Sequence, residues 1–136
     1  MGFTKSRSFF LNHYAYLVLI VNFLSILSFG HIQYVSLTGD DDNTGNQSTP
    51  FRTIQKAIDS AIDGDTIIVQ EGEYIEQINY KGKDITIQSI DPNDWQIVNN
   101  TVINAYKQGT AVTFTGHEGT ITNLKGITVK NGTPIE

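Results

Sequence analysis

The sequence predicts an all-β solenoid with one N-terminal capping α-helix. Three observations predict it. A single amphipathic helical stretch occurs, at about 50–62, and the chain beyond it alternates with period two or runs in short β-branched segments. Glycines punctuate those segments, among them Gly64, Gly72, Gly82, Gly109, Gly116, Gly119, Gly126 and Gly132. Similar strands also recur: DTIIVQ (65–70), DITIQS (84–89), TAVTFT (110–115) and GITVKN (126–131) start 19, 26 and 16 residues apart. Recurrence about every twenty residues with variable loops is a solenoid signal, because one repeat cannot bury its apolar side alone.

Along the chain, the first thirty residues differ from the rest. Lys5 and Arg7 are the only acidic or basic residues, histidine aside, before Asp40, and YLVLIVNFLSILSF (16–29) is apolar except for Asn22, Ser25 and Ser28. A basic start, a short apolar run and small residues at Ser28 and Gly30 read as a signal peptide over 1–30, with cleavage after Gly30. A retained anchor is the alternative, but a spanning helix wants about 20 apolar residues. Residues 31–136 then form the mature chain.

IQYVSL (32–37) alternates and reads as a strand, and TGDDDNTGNQSTP is loop by composition. Thr49 followed by Pro50 signals a helix start. Phe51, Ile54, Ala57, Ile58, Ala61 and Ile62 fall on one face of that helix, and Gly64 stops it. Strands are expected at 66–70, 74–80, 84–89, 101–104, 110–115 and 120–129. The coils span about 65–132. An open apolar end of such a stack needs covering, and the helix is placed to cap it.

The residues YVSLTGDDDNTG, PFRTIQKAIDSAIDGDTIIV and TAVTFTGHEGTITNLKGITVKNG carry a family likeness. Over about 34–132 they resemble the N-terminal cap and first coils of secreted right-handed parallel β-helix proteins. These form the pectin-lyase-like superfamily, notably the group similar to family 9 polysaccharide lyases. Pectinesterases share the helix, the strand after it and a step here written Gly72-Glu73-Tyr74-Ile75-Glu76. The resemblance implies a right-handed parallel β-helix and a carbohydrate-associated role. In both families the catalytic residues come from coils further along than this chain reaches, so none is carried over.

The residues themselves offer several candidate sites. Asp40, Asp41, Asp42 and Asn43 suggest a calcium loop, but counting from Asp40 the EF-hand pattern fails at Thr44 and Phe51. Calcium is thus unsupported by spacing, and the expectation is a solvated acidic loop with no metal and no cofactor, a looser calcium site being the alternative. Asp63 and Asp65, flanking Gly64, are read the same way. His117-Glu118 sits on a glycine-flanked tip with nothing to orient the imidazole. Lys81, Lys83, Lys107, Lys125 and Lys130 could stabilise an enolate-like intermediate of lyase chemistry, yet they scatter over turns and strand ends. Tyr74, Tyr80, Trp95 and Tyr106 could stack on sugar rings. Trp95, in the loop DPNDWQ, is the best candidate for carbohydrate binding, its plainer alternative being packing over an edge of the stack.

Without residues 1–30, seven basic residues face fourteen acidic ones, a formal −7. Phosphate backbones are held by Lys and Arg, so nucleic acid is excluded as a partner. No cysteine is present to form a disulfide. The expectation is a secreted or cell-surface β-helix segment, without a stable membrane span once mature, continued by further coils C-terminal to this chain. Its role is carbohydrate-associated or adhesive, polysaccharide being the candidate partner. The alternative is the start of a polysaccharide-degrading enzyme, pectate-lyase-like or pectinesterase-like, acting on acidic polysaccharide. The sequence leaves open whether the whole protein is an enzyme.

Overall fold

A computed structural model of the chain describes residues 30–115 and 122–133. The expected leader, apart from Gly30, and the His117-Glu118 tip lie outside the described residues. Those described are mostly β-strands in parallel sheets. The strands are β1 (Ile32–Val35), β2 (Thr66–Val69), β3 (Gly72–Tyr74), β4 (Ile78–Asn79), β5 (Thr86–Ser89), β6 (Thr101–Asn104), β7 (Val112–Thr113), β8 (Asn123–Lys125) and β9 (Thr128–Lys130). Two short helices join them, α1 (Ile54–Ser60) and α2 (Trp95–Asn100). The sheets run β1-β2-β5-β8, β3-β6-β9 and β4-β7, and every pairing in them is parallel.

Alternation within the strands builds the core. Ile67 and Val69 point inward while Thr66 and Ile68 are half-buried, and Ile67 stacks on Ile87 and then Leu124. In the second sheet Tyr74, Ile103 and Val129 lie side by side, and in the third Ile78 lies beside Val112. Burial of the aliphatic side chains supplies the driving force, each fully buried Ile or Val being worth about 1.5–3 kcal/mol.

The helix α1 is shorter than the expected 50–62, and its start is corrected. Thr53, not Thr49, is the N-cap, its hydroxyl accepting the Lys56 N–H at 3.2 Å. Pro50 and Phe51 stay outside because Phe51 pairs with β1: its N–H donates to Tyr34 O, and its carbonyl accepts from Ser36 N–H, both at 2.9 Å. A residue bonded that way cannot also begin a helical turn. The Phe51 ring lies against Gly45, at φ 77, where a Cβ would come within 2.4 Å of the ring. Ile54, Ala57, Ile58 and Ala61 are buried as expected, but Ile62 is 62% exposed. Ala61 is already extended (ψ 154), so helical spacing no longer applies to Ile62.

Both ends of α1 are bound by side chains distant in sequence. Asp41 Oδ1 accepts the N–H groups of Arg52 and Thr53, and Oδ2 accepts the Thr53 hydroxyl, all at 2.9 Å. Glu76 accepts the next two, Ile54 N–H at 2.9 Å and Gln55 N–H at 3.0 Å. These are N–H groups for which a helix offers no internal partner. At the other end the Lys83 ammonium donates to the carbonyls of Ile58, Asp59 and Ala61.

Four further expectations are corrected. The chain is not purely β after α1, because DPNDWQIVNN contains α2, capped by Asp94. Six residues with none fully buried show no apolar face that periodicity could detect. The run 74–80 divides into β3 and β4, the chain turning at Ile75 and Glu76 so that the latter reaches α1. The run 120–129 divides around Gly126, at φ 60, where a Cβ would come within 2.3 Å of Pro92. The four look-alike strands do not form one column either. Thr66 stacks on Thr86, but Val112 stacks on Ile78 and Thr128 on Val102, in the other two sheets.

Candidate functional site

Trp95 is not in a loop. It is the first residue of α2 and is 77% exposed. Asp94 Oδ1 accepts Gln96 N–H at 2.8 Å, which starts the helix, and the Thr128 hydroxyl donates to Val98 O at 2.9 Å, which ties α2 to β9. The indole therefore stands in solvent on a short but anchored element.

The other aromatic candidates separate. Tyr74 and Tyr80 are buried, so neither can meet a sugar ring. The Tyr74 hydroxyl donates to Gln70 O at 2.9 Å, and burial pushes it up to about 12. Tyr80 donates to Asn123 O at 3.0 Å, is pushed up as well by burial, and stacks on Phe114 with ring centroids 4.6 Å apart. Tyr106 is 64% exposed and lies two residues beyond β6, just as α2 runs directly into it.

Beside Tyr106 the ends of β6 and β9 assemble a polar cluster that sequence reasoning missed. The Asn104 side-chain N–H donates to Glu73 Oε1, and Lys130 Nζ lies 3.0 Å from the same oxygen. Asn104 Oδ1 accepts both the Tyr106 backbone N–H and the Asn131 side-chain N–H at 2.9 Å. The Lys130 ammonium, then the Asn104 amide, hold the exposed Glu73 carboxyl below the usual carboxylate range. The cluster joins three strands of one sheet, and no spacing in the sequence announces it.

The remaining lysines do not converge on a reaction centre. Lys83 caps α1, Lys81 pairs with Asp59 at 2.7 Å, and Lys107 and Lys125 are exposed. Lys81 is the first cause of the lowered Asp59 pKa. The acidic loop is more than a solvated run. Asp41 binds the entry to α1, and Asp40 Oδ1 accepts Asp42 N–H in a local turn. Asp65 is buried, accepting His31 N–H at 2.7 Å and Ile62 N–H at 2.9 Å, and Asp63 accepts Asp84 N–H. Among the described residues no three His, Cys, Asp or Glu side chains gather so as to hold a metal ion. Nor is any helix among them long and apolar enough to cross a membrane.

The described residues are thus parallel sheets of short stacked strands, with exposed aromatics and an exposed polar cluster at the strand ends. Residues 37–134 match the family described as "Protein of unknown function (DUF1565)", and the chain belongs to that family. It is 36% identical over 81 residues to the uncharacterized protein YwoF of Bacillus subtilis (strain 168), an alignment covering 56% of this chain and 17% of YwoF. A solved structure titled "The complex structure of XylC with xylose" is 34% identical with a TM-score of 0.45, over 54% of this chain and 11% of that one. The chain thus corresponds to a small part of each relative's length.

Proposed function

We propose that this chain is a segment of an exported right-handed parallel β-helix that holds polysaccharide at the cell exterior. One observation carries the binding reading: Trp95, at the start of α2, and Tyr106, just past β6, are both exposed aromatics, and Tyr106 adjoins a hydrogen-bonding cluster. Aromatic faces with an adjacent polar rim suit ligands that are apolar on one side and hydroxylated on the other. The β-helix reading is supported by the parallel pairing throughout and by the rule that crossover connections between parallel strands are right-handed. Lys5, Arg7 and the apolar run 16–29 support export. The motif resemblance to the pectin-lyase-like superfamily points the same way, at the level of fold analogy.

The competing reading is a lyase or esterase acting on acidic polysaccharide. Its support is the Gly72-Glu73-Tyr74-Ile75-Glu76 step. Against it, Glu76 is bound to α1 and Glu73 to Asn104 and Lys130. The experiment is to incubate the purified chain with arrayed acidic and neutral polysaccharides and, separately, with soluble pectate and methylated pectin. Retention that falls with Trp95→Ala and no product above a boiled control is the expected outcome. Product release, with or without calcium, overturns the binding reading in favour of an enzyme, and retention unaffected by Trp95→Ala removes the indole from the site.

A further inference from the structure

Left-handed backbone outside glycine gathers mainly at one place among the described residues. Among the described residues, four that are not glycine adopt left-handed backbone: Lys81, Tyr106, Lys107 and Asn131, at φ 53, 51, 61 and 56. Three of these four lie just past the ends of β6 and β9, around the Glu73 cluster. Asparagine tolerates that conformation, but a bulky aromatic does not, and such strain persists only where surrounding bonds impose it. Here the bonds are visible. Tyr106 N–H donates to Asn104 Oδ1, and Lys107 N–H donates to Asn131 O at 2.8 Å. The result is a tyrosine held out in solvent, 64% exposed, where packing gives no reason for an aromatic side chain. The same Asn104 that accepts the Tyr106 backbone N–H also donates to Glu73, so one amide side chain ties the Tyr106 backbone and the Glu73 carboxylate together.

We infer that Tyr106, Glu73 and Lys130 form a subsite for an uncharged sugar unit of a polysaccharide. This deepens the polysaccharide-binding reading and rests on it. The sugar's apolar face lies on the Tyr106 ring. Two neighbouring hydroxyls bridge Glu73, which accepts, and Lys130, which donates. The 3.0 Å between Glu73 Oε1 and Lys130 Nζ is close to the spacing of adjacent hydroxyl oxygens on a pyranose ring. A uronate is disfavoured at the same place. Its carboxylate would face that of Glu73, in a chain whose residues 31–136 carry a formal −7.

Affinity electrophoresis of the full chain in gels containing hydroxyethyl cellulose, galactomannan or polygalacturonate tests this. Retardation by a neutral polymer is expected, weakened more than tenfold by Tyr106→Gly and by Glu73→Gln. Tyr106→Gly is the informative variant, because glycine relieves the left-handed backbone. Its melting temperature should equal or exceed the parent's while binding falls, which loss of a structural residue would not produce. Retardation by a neutral polymer that both variants retain overturns the subsite and leaves the polysaccharide reading standing, as does retardation by polygalacturonate alone. No retardation by any of the three overturns both.

Discussion

The side chain of Gln55, on α1, occupies the place of a neighbouring strand beside Asn79. Its Oε1 accepts Asn79 N–H at 2.8 Å and its Nε2 donates to Asn79 O at 3.3 Å. On the opposite side β4 is paired with β7, Ile78 N–H donating to Ala111 O and Tyr80 N–H to Thr113 O. Alternate N–H groups of a parallel strand point to opposite neighbours, so Asn79 would otherwise present an open edge. One amide side chain thus closes it, and α1 covers the sheet as well as the apolar interior.

Gln55→Ala is therefore expected to destabilise the chain by about 1 kcal/mol, the low end of the cost of an unmade bond, since Asn79 is only half-buried. Urea unfolding measures the loss, and amide exchange at Asn79 should quicken selectively. Unchanged exchange would mean that Gln55 does not protect this edge.

Ile58 and Ile62 make a matched pair for the packing of α1. Ile58 is fully buried, and Ile58→Ala should cost about 2–5 kcal/mol. Ile62 is mostly exposed, and Ile62→Ala should change stability by no more than about 0.5 kcal/mol. Comparable losses at both would place the turn after Ala61 wrongly.

Glu76 gives α1 a pH dependence of predictable sign. Burial, first, pushes its carboxyl up despite the two helix N–H groups, which pull it down; Asp41 adds to the rise, and Tyr74 is the other titratable group coupled to it. A raised carboxyl binds its proton more readily in the folded chain than in the unfolded one. Its contribution to stability is therefore greatest in acid and declines as pH rises from the ordinary glutamate range through the folded value. Unfolding titrations from about pH 4 to 7 should show this decline in the parent and not in Glu76→Gln. A parent-minus-variant difference that grows more favourable with rising pH would reverse the assignment.

His31 N–H lies 2.7 Å from Asp65 Oδ1, and Asp65 is buried. If export cleaves after Gly30, that nitrogen becomes an α-ammonium, and a bond already assisted by the carboxylate's charge becomes an ion pair between opposite charges. Protein beginning at His31 should then be more stable than the same chain with residues 1–30 retained. Asp65→Asn should remove that difference. The gain should persist at neutral pH and fade above about pH 8, where a free α-amino group loses its proton. N-terminal sequencing of exported material checks the cleavage itself, and an intact Met1 or Gly2 in a membrane fraction would exclude it.

Features carried by local period are legible in the residues alone. The apolar face of Ile54, Ala57, Ile58 and Ala61 and the alternation of 66–69 and 86–89 can be read because each rests on neighbours within one turn or one pleat. Trp95 is legible as a candidate, though not as part of α2. Which strand lies on which is settled only in three dimensions. Ile32 pairs with Thr66, Thr66 with Thr86 and Thr86 with Asn123, at unequal separations set by α1, α2 and the intervening turns. Stacking register in such sheets depends on loop lengths, which carry no periodic signal. For that reason Glu73, Asn104 and Lys130, on three different strands, meet without a motif, and the strain at Tyr106 has no signature in composition. A backbone angle fixed by a side-chain bond from Asn104 and by pairing of Lys107 with Asn131 is not encoded by the residue that bears it.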